Sequence, residues 1–195
     1  MLCYLLGGCT GHASIQVVPV SLKKISIATP LVRNITPDAC YYWINEDGEL
    51  CIAMKEIKQS VLGKPFGKEF YLSLVLEGLP AGSTRNYALN RRSLRVRHRR
   101  GYTHTRSASL AGIAAVWDYG KRELRGRFRT AAIQQSYSVL RGWKGDRRVL
   151  LLGEFAAVQN RQAGEKILAR TEQDGMKRPP TSRSAKTVDG PPREK

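Results

Sequence analysis

The sequence predicts an all-β protein, an antiparallel sandwich or barrel of about eight or nine strands with a short C-terminal helix and a disordered tail. Three observations lead there. Segments rich in β-branched residues, or alternating apolar with polar, follow one another from Ser14 to about Gln159. Turn signals separate them at short intervals, and no helical period intervenes. A chain of 195 residues holds one domain with a substantial core, placed here at residues 14–175, with 176–195 as the tail.

The elements follow in order. "SIQVVPV" (14–20) and "KISIATPLV" (24–32) are β-branched runs. "CYYWIN" (40–45) and "ELCIAM" (49–54) form a hairpin turning at Asp47-Gly48. A two-residue turn there pairs Asn45 with Leu50, Ile44 with Cys51 and Cys40 with Lys55. At ~3.3 Å per residue, Cys40 and Cys51 are then too far apart to bond. Both read as small buried hydrophobes, and the four cysteines form neither a disulfide framework nor a metal site.

"EFYLSLVLE" (69–77) is apolar on both parities, as a strand covered on both faces should be. "GLPAGSTRN" (78–86) is turn-rich and reads as a loop. "SLRVRHR", "YTHTRSASLAGIAAVWD", "ELRGRFRTAAI" and "RRVLLLGEFAAV" complete the strands. Beyond them "RQAGEKILARTEQDG" has a helical period, with Asn160 as N-cap, Gly175 past the end and Ala163, Ile167 and Leu168 as the apolar stripe. The remainder, "MKRPPTSRSAKTVDGPPREK", has four prolines and almost no apolar content. It should be disordered.

Charge is concentrated. Residues 85–148 hold 17 basic and 3 acidic side chains, a net +14 of the chain's +17. A genome-wide arginine bias is the plain explanation, but residues 1–84 carry six lysines and only Arg33, whereas 85–148 carry fifteen arginines and two lysines. The contrast favours a local cause: a patch that attracts an acidic membrane surface, an anionic polymer or nucleic acid. The longest apolar runs, Val149 to Leu152 and Ile113 to Trp117, are too short to cross a bilayer as helices.

Two segments, "LRVRHRR" (94–100) and "LRGRFRT" (124–130), place arginine at every second position. Side chains alternate faces along a strand, so Leu94, Val96, Leu124 and Phe128 point to the core. Arg95, Arg97 and Arg99, and likewise Arg125, Arg127 and Arg129, point to water. A turn at Arg100-Gly101 sets Arg97 against His104 and Arg95 against Arg106. A turn over Asp118 to Lys121 sets Arg125 against Ala114 and Arg129 against Leu110. The two ladders then share a face, towards opposite ends of it, unless a β-bulge near Gly112 reverses one relation. An Arg95–Arg106 pair would be mutually repulsive, and a bridging anion would relieve it. The plain alternative is that charged strands only guard against edge-to-edge aggregation.

"LLGGC" followed by "TG" is the most specific local motif. Leu6, Gly7, Gly8 and Cys9 resemble the lipobox of bacterial lipoproteins, in which the cysteine becomes the lipidated N-terminus. The resemblance covers four residues and implies lipid attachment at Cys9, residues 1–13 as the remnant of signal and anchor, and an extracytoplasmic place in the bacterial cell envelope. Only "MLCYLL" leads into it, short of the ~7–15 apolar residues and basic n-region of a signal peptide. The lipoprotein reading thus requires a start upstream of Met1. A chance match would leave the protein cytoplasmic.

Nothing in the sequence points to catalysis or a cofactor. The histidines are His12, His98 and His104; His98 shares the inward parity of Leu94 and Val96, and His104 lies among arginines that disfavour its protonation. No nucleophile elbow, phosphate loop or dinucleotide fingerprint is present. "PAGSTRN" lacks the lysine and strand–helix setting of a phosphate loop. Asp118, Glu123 and Asp146 sit in or beside turns and arginines. The aromatics of "CYYWIN" read as core, whereas stacking on nucleic acid would use Tyr102, Tyr137 or Trp143 among the basic residues. The expected function is a non-enzymatic envelope lipoprotein whose basic face binds acidic lipid or polymer. The alternative is a cytoplasmic nucleic-acid-binding β-domain.

Overall fold

The computed structural model describes residues 11–20, 32–59, 67–78, 84–101, 103–118, 123–138 and 142–172. Among the described residues run ten strands: β1 (His12–Pro19), β2 (Arg33–Ile35), β3 (Ala39–Ile44), β4 (Leu50–Lys58), β5 (Lys68–Leu76), β6 (Arg85–Leu89), β7 (Leu94–Arg100), β8 (Thr103–Asp118), β9 (Glu123–Ser138) and β10 (Gly142–Gln159). One helix, α1 (Arg161–Glu172), follows. The protein is all-β, as its alternation predicts.

β10 organises the sheet. One edge pairs with β9; the other pairs with β1 from Val149 to Ala156 and then, in parallel, with β3 at Val158 and Gln159. From β3 the antiparallel pairing continues through β4, β5, β7, β8 and β9 back to β10, so the sheet closes into a barrel. β6 continues the edge of β8 beyond the end of β7, and β2 flanks β1. Closure leaves few strand edges to aggregate.

The inward residues form the main core: Ile15, Cys40, Leu50, Ile52, Met54, Phe70, Leu72, Leu74 and Leu94 among others, all buried. A second cluster lies outside the barrel wall. Trp43, Cys51, Ala53 and Tyr71 project from the outer faces of β3, β4 and β5 and are covered by Ile167 of α1, with Tyr41, Val75 and Leu168 at its margin. This explains the two-sided apolarity of "EFYLSLVLE": Phe70, Leu72 and Leu74 face the barrel, while Tyr71 and Val75 face the helix. Asn160 caps α1, its Oδ1 accepting from the Ala163 amide at 3.0 Å. No helix among the described residues is long and apolar enough to cross a membrane.

Several local expectations are corrected. The β3–β4 hairpin pairs Ile44 with Leu50, Trp43 with Cys51 and Cys40 with Met54. Its loop is longer than two residues because Asn45 holds Glu49, accepting from its amide at 2.8 Å and donating to its carboxylate at 2.7 Å. Gly48, at φ 77°, completes the turn. Cys40 and Cys51 are free and buried, one in each apolar cluster. The "GLPAGSTRN" loop ends earlier than expected, since Arg85 and Asn86 already belong to β6. β2, at only three residues, is too short to leave a pattern. Most of "KISIATPLV", Gly175 and the proline-rich tail lie outside the described residues, as do Cys9 and the rest of "LLGGC".

Candidate anion-binding face

Both arginine ladders point outward, but the register that brings them together differs from the expected one. The expected turn at Arg100-Gly101 is corrected: Arg100 still belongs to the ladder, pairing with Thr103, and Gly101 beyond it takes φ 57°. Arg97 therefore faces Arg106, Arg99 faces His104 and Arg95 faces Ala108. Across β8 and β9, Arg125 faces Trp117, Arg127 faces Ala115 and Arg129 faces Ile113. That register alone would reverse the faces. A β-bulge between Ser109 and Ala111 reverses them again. Thr130 fills the bulge, its Oγ1 3.0 Å from the Ala111 carbonyl and 2.6 Å from Ser109 Oγ. The two departures cancel, and the ladders share the outer face at opposite ends of β8.

The β7 ladder is engaged within the fold. Arg95 pairs with Glu172 at 3.1 Å, and Arg97 donates to the Arg170 carbonyl at 3.0 Å, where the helix dipole favours a cation. Arg99 reaches Glu69 at 3.4 Å. Arg106 donates to Gln135 at 2.8 Å. Arg97 and Arg106 thus turn towards different partners, which relieves the repulsion of like charges directly opposite each other.

The β9 ladder is different. Arg125 pairs with Glu123 at 2.8 Å. Arg127 and Arg129 are exposed, and neither has an ion pair or side-chain hydrogen bond among the described residues. Glu154 stands opposite Arg127 in register without bonding to it. Beside them Ile113 is 62% exposed, flanked by the exposed Ala88 and Ala111. An apolar strip therefore runs alongside two uncommitted cations.

The histidines take the places their parity implies. His98 is buried inside the barrel, against Phe70, with both ring nitrogens beside the Arg33 guanidinium. Burial first, then Arg33, Lys68 and Arg100, push its pKa down to about 3, so it is neutral at ordinary pH. His104 lies on the outer face, edge-on to Tyr137. Burial first, then Arg97 and Arg99, lower its pKa. Among the described residues no group of three or more His, Cys, Asp or Glu side chains is placed to hold a metal ion. Trp43 of "CYYWIN" is core, beneath α1. The side chain of Trp143, and Tyr102 altogether, lie outside what is described.

Sequence reasoning missed the partners of the β7 ladder. Glu172 and the Arg170 carbonyl lie 77 and 73 residues along the chain from Arg95 and Arg97. Only the docking of α1 brings them together, and no local pattern encodes that. Arg91 and Gln135, which join Arg95 and Arg106 around a cleft, carry no motif either. Comparison with protein-family models, with curated proteins and with solved structures finds no match.

Proposed function

We propose that this chain is a non-enzymatic β-barrel of the bacterial cell envelope, lipid-anchored at Cys9, whose basic outer face binds acidic lipid headgroups or an acidic polymer. One observation carries the reading: Arg127 and Arg129 extend from β9 with no ion pair or side-chain hydrogen bond among the described residues, beside the exposed Ile113. Cations that serve only the fold are expected to be engaged by it, as Arg95 and Arg99 are by carboxylates and Arg97 by a backbone carbonyl. An apolar side chain at the level of two guanidinium groups suits the boundary between headgroups and acyl chains. The nucleic-acid alternative has less support, because Tyr137, the described ring it would stack on, packs on His104.

Co-sedimentation with phosphatidylglycerol-containing vesicles, against pure phosphatidylcholine, tests the face. A basic side chain near such a surface contributes about 1 kcal/mol, so Arg127→Ala with Arg129→Ala should weaken binding by roughly thirtyfold. Equal binding by wild type and double variant would refute the assignment. The anchor has its own test: the gene with its native upstream region, expressed in a bacterial host with radioactive palmitate. Label in the membrane fraction that vanishes in Cys9→Ala is expected. A soluble, unlabelled protein would reduce "LLGGC" to coincidence and turn attention to nucleic acid.

A further inference from the structure

The outer edge of β8 changes partner partway along. Its residues up to Ala108 pair with β7, and those from Gly112 pair with β6. Between them, at the bulge, no described strand pairs with that edge. The turn from Asn90 to Ser93 crosses there, and the end of α1 closes the far side. A cleft of about 550 Å³ results, lined by Arg91, Arg95, Arg106, Leu110, Gln135 and Glu172. That size suits a small organic ligand.

Among the described residues, three guanidinium groups and one carboxylate line it, an excess of two positive charges. A phosphate monoester carries about −1.5 to −2 at pH 7 and matches that excess. Guanidinium groups also offer phosphate the paired donors it accepts best. Leu110 and Ile133 supply an apolar wall beside the charges. The one acid among these described residues, Glu172, reaches Arg95 at 3.1 Å with both side chains about half exposed. An ion pair so open to water contributes little to stability, so exchanging it for a doubly charged ligand is favourable.

We propose that this cleft binds an amphipathic phosphate monoester, with the phosphate between Arg91, Arg95 and Arg106 and the apolar part on Leu110 and Ile133. Glu172 is the internal acid that the ligand displaces from Arg95. The site is separate from Arg127 and Arg129 and does not rest on the surface-binding reading above. The ligand's source is either a monoester headgroup in a membrane or a soluble phosphomonoester.

Calorimetric titration of the full chain with hexyl phosphate tests it, alongside inorganic phosphate. One saturable site is expected, weaker for inorganic phosphate. Arg91→Ala and Arg106→Gln should weaken it about tenfold or more. Glu172→Gln should tighten it by about three- to tenfold, since a competing acid is removed. A merely structural Glu172 would give no gain. Absence of saturable binding, indifference to Arg91→Ala, or no tightening in Glu172→Gln would overturn the proposal. So would equal weakening by the Arg127→Ala, Arg129→Ala double variant, which places the ligand on the outer face instead. Loss of phosphatidylglycerol vesicle binding in that double variant, with hexyl phosphate binding intact, sustains both readings. Vesicles of phosphatidic acid that bind in an Arg91-dependent way identify a membrane source; hexyl phosphate binding without such vesicle binding identifies a soluble one.

Discussion

A β-carbon on Gly164 would stand 2.3 Å from Cζ3 of the Trp43 ring. Glycine is therefore required there by the close approach of α1 to the barrel wall. Alanine gains about 1 kcal/mol of helix propensity, but overpacking against a ring fixed beneath the helix costs about 1–3 kcal/mol. Gly164→Ala should thus destabilise the protein by up to about 2 kcal/mol in urea unfolding; a more stable variant would contradict the packing. A second prediction concerns His98. Its folded pKa, about 3, lies below the ordinary 6.5, so the unfolded chain binds the extra proton more readily. The contribution to stability is fully present above pH 6.5 and is lost as pH falls towards 3. Within that window unfolding free energy should drop by up to about 1.4 kcal/mol per pH unit. Comparison with His98→Gln isolates the effect: parallel pH curves for the two proteins would refute it.

Among the elements, α1 is the most consequential addition to the barrel. It buries a second apolar cluster, and its C-terminal end engages Arg95 and Arg97. Undocking it should uncover one cysteine and not the other. Cys51 lies beneath Ile167, its thiol pushed up to about 11 chiefly by burial, with Glu49, Glu165, Glu172 and Asp47 adding to the shift. Cys40 sits in the barrel core, its pKa raised by burial alone. In a Cys3→Ser, Cys9→Ser background, native protein should react slowly with Ellman's reagent. Ile167→Asp should release one fast thiol, assigned to Cys51 by mass spectrometry. Fast labelling of Cys40 would mean that the barrel itself had opened. The strands were largely legible in the sequence because alternation reports one buried face directly. The registers were not. The β3–β4 loop is set by the Asn45–Glu49 contact, and the β8 bulge at Leu110 by the Thr130 and Ser109 hydroxyls beside it.

For the whole molecule, 33 basic against 16 acidic side chains leave a net +17 that opposes compaction. Raising sodium chloride from about 0.02 to 0.5 M shortens the screening length and weakens this repulsion. The melting temperature should rise by a few degrees; a flat or falling value would mean that the ion pairs of Arg95, Arg99 and Arg161 outweigh it. The same screening should weaken vesicle binding through Arg127 and Arg129. Salt thus moves stability and surface binding in opposite directions.

The sequence by itself determined the all-β class, the helix and its Asn160 cap, the outward direction of all six ladder arginines, and the inward place of His98. Each follows from a local period or a local hydrogen bond. Tertiary structure alone decided that the sheet closes through β10 and β3, that Arg95 and Arg97 are engaged by α1, and that Arg127 and Arg129 have no partner among the described residues. Those outcomes depend on contacts between distant segments. A two-residue difference in a turn, or one extra residue in a strand, redirects such contacts without changing any local pattern.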